Sequence, residues 1–166
     1  SGKSSLVRAG LVPLLKAEQR RVAVSTPGLR PLQTLDALPP DPLWVVDQFE
    51  EVFTLCRQEE ERSAFIARLL DKAGSPGGLV LVLRADFYHR LAQFDDLPEA
   101  VAAQQHYLTA MTGTQLVEII LQPLQQHGWR IQEGLAEQIL TDVGDEPGAL
   151  PFLSHALRET WERRRA

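Results

Sequence analysis

An α/β architecture, with a parallel sheet covered on both faces and an all-helical lobe after it, is predicted by three observations. Short, wholly apolar runs (Leu43-Trp44-Val45-Val46 and Leu79-Val80-Leu81-Val82-Leu83) have the pattern of strands buried on both sides. Stretches of helical period stand between successive strands, as parallel pairing requires. Beyond about residue 110 only helical spacing remains. The chain therefore divides into a core, residues 1–110, and a helical lobe, residues 111–166.

In order, Val7, Leu11, Leu14 and Leu15 have the spacing of one helix face, with Pro13 expected to kink that helix or cost it a hydrogen bond. Arg21 to Ser25 reads as a strand stopped by Pro27-Gly28, and Pro31 to Leu38 as a short helix before the Pro39-Pro40-Asp41-Pro42 turn. The tryptophan-bearing run ends at Asp47. Phe49 to Leu55 is expected to be helical, and Glu59-Glu60-Glu61 open a second helix with Phe65, Ile66, Leu69 and Leu70 inside and Gly74 as its stop. The strand Leu79 to Leu83 ends at Arg84, a largely helical stretch runs to Gln104, and a last strand is expected at His106 to Leu108. In the lobe, Thr112 and Gln115 have capping-box spacing ahead of Leu116, Ile119, Ile120 and Leu124. Leu135, Ile139, Leu140 and Val143 predict a second helix closed by Gly144, and Leu150, Leu153, Leu157 and Trp161 a third with Pro151 in its first turn. Arg163-Arg164-Arg165 reads as a solvated helix end.

The totals narrow the function classes. Of 166 residues, 44% are hydrophobic and 23% charged, enough apolar material for a core. A net charge of −5 argues against a general nucleic-acid binder, which needs a basic face. The single cysteine, Cys56, allows no intrachain disulfide framework and is expected to be a buried structural thiol in a reducing, cytoplasmic compartment. No apolar run approaches membrane-spanning length. His89, His106, His127 and His155 lack ligand spacing, and no nucleophile triad is legible. The chain begins without Met and in mid-motif, as a segment of something longer would.

That motif is Ser1-Gly2-Lys3-Ser4-Ser5 running into an apolar helix, the second half of a phosphate-binding loop of the type G-x-x-x-x-G-K-[ST]. A polyphosphate needs backbone N–H groups aimed at it, which favours a residue without Cβ at the closest approach, here Gly2. Lys3 supplies a point charge, the Ser4 hydroxyl can ligate Mg²⁺, and the helix dipole favours the same anion. Ligands of open α/β sheets sit at the carboxyl ends of strands, where Asp47 and Arg84 lie. Asp47 suits the Mg²⁺ that Ser4 touches, and Arg84 the terminal phosphate. Glu50, and after it Glu51, are the candidates for orienting an attacking water.

Four strings in order, Ser1 to Leu11, Val45 to Cys56, Leu83-Arg84-Ala85-Asp86-Phe87-Tyr88 and Val143 to Pro151, resemble the bacterial novel STAND NTPases, relatives of the NACHT and apoptotic/disease-resistance ATPases. The resemblance implies a P-loop NTPase three-layer parallel sheet lacking its first strand, followed by a small helical lid subdomain. It implies an ATP-dependent signalling switch within a larger polypeptide, with an effector on one side and WD or other sensor repeats on the other, and a homo-oligomer as a possible active form. It assigns Lys3 and Ser4 to Walker A, Asp47 to Walker B, Glu50 and Glu51 to the acidic pair after it, Arg84 to the sensor arginine and Pro151 to an adenine contact, with Gly2 and Ser5 as the further nucleotide-binding candidates of the loop. The chain departs from the wider class in separating Gly148 from Pro151 by two residues, and in a short stretch between Ser25 and Leu43.

The expected function is thus an ATP/Mg²⁺-binding switch module with slow hydrolysis. The rivals are a nucleotide-binding scaffold without turnover and a small-molecule P-loop kinase. The kinase is disfavoured because the lobe carries only Arg130 and Arg158 before its cationic tail.

Overall fold

The chain opens with a helical segment in three registers: α1 (Lys3–Ser5), a π-helical run (Leu6–Leu11) and α2 (Val12–Ala17). Strand β1 (Val22–Ser25) is followed by α3 (Pro31–Asp36), β2 (Leu43–Val46) by α4 (Glu51–Thr54) and α5 (Glu59–Ala73). Strand β3 (Leu79–Leu81) is followed by a 3₁₀ run (Ala85–Gln93) and α6 (Leu97–Ala102). The computed structural model describes residues 2–102, 104–144 and 149–163.

All strand pairing is parallel, in the order β1-β2-β3, with Val24 opposite Val45 and Val45 opposite Val80. Alternate residues serve opposite layers, as the pleat demands. Trp44 and Val46 join Leu35, Phe49, Val52, Phe65, Ile66 and Leu69 on one face. Val45 and Val82 join Val7 and Val12 of the opening helical segment on the other. This is an α/β fold compatible with that of P-loop NTPases. The middle strand is buried almost throughout, whereas β1 and β3, the latter expected to be as deep as β2, are only half-buried. Each has a strand partner on one side only among the described residues, so part of its surface stays open.

The opening helix departs from its expected face. Val7 and Val12, five residues apart, are buried, while Leu14 is 67% exposed. The π register explains the shift, because its i→i+5 repeat brings Val12 rather than Leu11 back over Val7. The Val12 N–H donates to the Val7 carbonyl in that register, directly ahead of Pro13. The proline thus sits in the first turn of α2, where its missing N–H costs least.

Lys72 is buried at the start of the sheet. Its Nζ donates to the Pro40 carbonyl at 2.6 Å and lies 5.1 Å from the centroid of the Trp44 ring, whose Nε1 donates to the Pro39 carbonyl at 2.8 Å. The proline-rich turn is thereby tied to α5 and β2. Gly77 passes so close that a Cβ there would stand 2.8 Å from the carbonyl oxygens of Asp41 and Pro42 and overlap Lys72 Nζ.

The expected strand at 106–108 is not formed: residues 105–112 have no regular structure. Tyr107 is 62% exposed, so the run has no apolar face to hold against a sheet. Cα packing separates two compact units, Lys3–His106 and Tyr107–Ala166, the second grouped with Ser1–Gly2. The second unit holds α7 (Gly113–Gln126), α8 (Leu135–Val143) and α9 (Ala149–Glu162) around Ile120, Ala136, Ile139 and Leu153. Thr112 and Gln115 close a full capping box on α7: the Gln115 N–H donates to Thr112 Oγ1 at 3.3 Å, and the Thr112 N–H to Gln115 Oε1 at 2.9 Å. Trp161, expected inside, is 41% exposed and meets Trp129 edge-on at 5.0 Å. The basic tail's Arg163 pairs with Glu159, one helical turn back; Arg164, Arg165 and Gly148 lie outside the described residues.

Candidate functional site

The carboxyl ends of β2 and β3 and the start of the opening helix bring most of the expected polar residues together. Asp47, the residue after β2, is fully buried. Its Oδ1 accepts from Ser4 Oγ at 2.8 Å and from the Gln48 N–H at 3.0 Å, and its Oδ2 accepts from Arg8 Nε at 3.0 Å. A buried carboxylate requires such partners. Because the Ser4 hydroxyl spends its proton on Asp47, its lone pairs remain to face a cation.

Gly2 takes the left-handed φ of +65° immediately before Lys3, the conformation that only glycine adopts at little cost. The chain turns there into α1, whose first N–H groups have no helical acceptors. Ser5 lies in the same turn and is exposed.

Glu50 and Glu51 diverge. The Glu51 carboxylate accepts from the Gly28 N–H in the loop after β1 at 2.9 Å, whereas that of Glu50 faces the exit of β3, accepting from the Arg84 N–H at 3.4 Å. The separation begins at Gln48, which holds a left-handed φ of 55° although it is not glycine. That turn delays the helix, expected from Phe49, until Glu51.

Arg84 carries a bidentate partner: its Nε and Nη2 donate to Asp86 Oδ1 and Oδ2 at 3.1 and 2.9 Å. The Arg84 hydrogen bond, with the charges of Arg84 and Lys3 behind it, holds the Asp86 carboxyl below the usual range for aspartate. The same hydrogen bond and the charge of Asp86, then that of Glu50, raise the Arg84 guanidinium. Lys3 thus acts on Asp86, and Glu50 on Arg84, across the Arg84–Asp86 pair. Pro151 lies within α9 of the helical unit and is exposed.

Among the described residues, no group of three or more His, Cys, Asp or Glu is placed to hold a metal ion. A hydroxyl and a carboxylate are hard oxygen donors that suit Mg²⁺, but only as part of a set completed by water and phosphate oxygens.

Residues 1–166 match the family described as Novel STAND NTPase 1. The chain belongs to that family. No curated protein and no solved structure matches it. As a novel STAND NTPase it is a nucleotide-binding module of the signalling kind, and membership implies the use of a nucleotide with Mg²⁺. No described helix of this novel STAND NTPase is long and apolar enough to cross a membrane. Arg8 and Asp86 are the members of the site that the sequence left unmarked. Arg8 follows Ser4 by four residues on a helix, a spacing that shares a face, and Asp86 follows Arg84 by two; neither spacing reveals its partner without the fold.

Proposed function

We propose that this chain is the ATP- and Mg²⁺-binding switch module of a multidomain signalling protein, and that it hydrolyses ATP slowly. The observation that carries the reading is the hydrogen bond from Ser4 Oγ to Asp47 Oδ1 at 2.8 Å across 43 residues of chain. It joins the glycine-lysine turn to the acid leaving the central strand, at the end of a parallel sheet where ligands bind. Lys3 and the first-turn N–H groups bind the phosphates, Ser4 and Asp47 hold the cation side, and Arg84 reads the terminal phosphate by exchanging Asp86 for it. Bound Mg²⁺ neutralises phosphate charge. Residues 111–166, with Pro151 near the base, serve as the lid, and effector and sensor domains elsewhere in the polypeptide respond to it. Glu50 orients the attacking water, because its contact with the Arg84 N–H, at 3.4 Å, is longer than the 2.9 Å bond that engages Glu51 with the Gly28 amide.

Calorimetry with ATP and Mg²⁺ on the full-length protein tests the binding. Lys3→Ala is expected to weaken affinity at least tenfold, about 1.4 kcal/mol; unchanged affinity rejects the reading. Phosphate release separates hydrolysis from a scaffold role. Glu50→Gln is expected to slow it about 100-fold, within the range for a positioned general base, with Glu51→Gln affecting it less. A specific observation favours the scaffold alternative: the Glu50 carboxylate also accepts a backbone N–H. Phosphate release at background level in the wild type, and no lower in Glu50→Gln, favours that alternative.

A further inference from the structure

Asp47 is held by two side chains from one helical segment. Ser4 and Arg8 stand four residues apart, and each takes a different oxygen of the same carboxylate, at 2.8 and 3.0 Å. The Asp47 side chain is entirely out of solvent, while that of Arg8 is 54% exposed. The guanidinium therefore brings a hydrated positive charge against a negative one that water cannot reach.

We propose that Arg8 is the positioning residue of the cation site: it supplies the charge that Asp47 needs when no metal is bound and keeps Oδ1 turned to Ser4. This deepens the function proposed above and rests on it. Two consequences follow from charge and geometry. With Oδ2 committed to a guanidinium, Asp47 has little negative charge left to attract a bare divalent cation, and among the described residues no group of three or more His, Cys, Asp or Glu is gathered to hold one. Ser4 and Asp47 would therefore hold Mg²⁺ only together with the nucleotide, whose phosphate oxygens would supply the further oxygen donors it needs. Conversely, deleting the guanidinium leaves a buried carboxylate without its cation, a state that either destabilises the domain or recruits Mg²⁺ alone.

Arg8 is tested in the full-length protein by following the thermal midpoint of this domain with EDTA, with Mg²⁺ alone and with Mg²⁺ plus ATP. The wild type is expected to respond to Mg²⁺ only when ATP is present. Arg8→Ala is expected to melt roughly 3–6 °C lower in EDTA and to regain part of that loss with Mg²⁺ alone, Arg8→Lys falling between the two. An Arg8→Ala protein that melts with the wild type and ignores Mg²⁺ alone overturns the proposal. If Arg8→Ala does not fold, the Arg8→Ala/Asp47→Asn double variant decides. Removing the carboxylate charge is expected to rescue folding, and failure to rescue it rejects a charge-balancing role. Failure of the wild type to bind ATP removes the switch function, but the EDTA comparison and the double variant still judge Arg8 independently.

Discussion

Asp47 accepts three hydrogen bonds without exposing any surface to water, and one comes from the N–H of Gln48, which sits in a strained left-handed conformation. The strain aims the amide at the carboxylate and separates the directions of Glu50 and Glu51. Since the Gln48 side chain is exposed, Gln48→Gly is expected to keep this backbone path. It should leave stability unchanged or raise it by up to about 1 kcal/mol, the left-handed penalty of a non-glycine residue being partly offset by the entropy of the unfolded glycine. Urea denaturation checks it; a loss above that size shows that the side chain matters. At Asp86 the sign of the pH dependence follows from a lowered folded-state pKa. The pair with Arg84 is complete above the unfolded range of aspartate and is lost as pH falls through the folded value. Both groups are exposed, so the effect belongs to charge state rather than to stability. In an NMR titration the Asp86 carboxyl midpoint is expected to rise in Arg84→Ala, and an unmoved midpoint excludes Arg84 as its cause.

At the scale of elements, β2 carries a buried charge near each end, Asp47 after its last residue and Lys72 beside Trp44 near its first. The first faces the candidate site; the second fastens the Pro39–Pro42 turn. Lys72→Met keeps the apolar stem but forfeits a charged hydrogen bond and the contact with the indole face, and is expected to cost about 2 kcal/mol. Gly77→Ala is expected to cost about 1–3 kcal/mol, since the carbonyls of Asp41 and Pro42 are backbone and cannot swing aside. Chemical denaturation of both variants measures this, and wild-type stability in either contradicts a fastened turn. The opening helix shows how a local rule yields to context. Apolar spacing called for an α-helical face with Leu14 inside, whereas the π run ahead of Pro13 buries Val12 and leaves Leu14 out.

For the whole molecule, a switch requires nucleotide to bind one arrangement of the two units better than another. Moving a population from 1:99 to 99:1 needs about 5.5 kcal/mol of differential binding. Phosphate contacts from the unit 3–106 and a base contact from the helical unit are the proposed sources. They separate experimentally: Pro151→Ala is expected to weaken ATP about three- to tenfold while leaving inorganic tripolyphosphate unaffected. Equal effects on both ligands remove the adenine contact.

What the sequence determined by itself were the features written in local order. Apolar runs marked each strand of the parallel sheet, spacing marked α5 and the three helices of the second unit, and Thr112 with Gln115 announced a cap that forms as spelled. It also singled out Ser4 and Asp47, because a phosphate loop and an acid at a strand exit are each legible within a few residues. Only the tertiary structure decided which groups meet: Arg8 on Asp47, Glu51 on the amide of Gly28, Asp86 on Arg84. It likewise decided which strands stay half-open and that 106–108 forms none. The physical reason is that periodicity and capping depend on neighbours along the chain. The partner of a buried charge depends instead on the side chains that strand order and helix register carry to it across space.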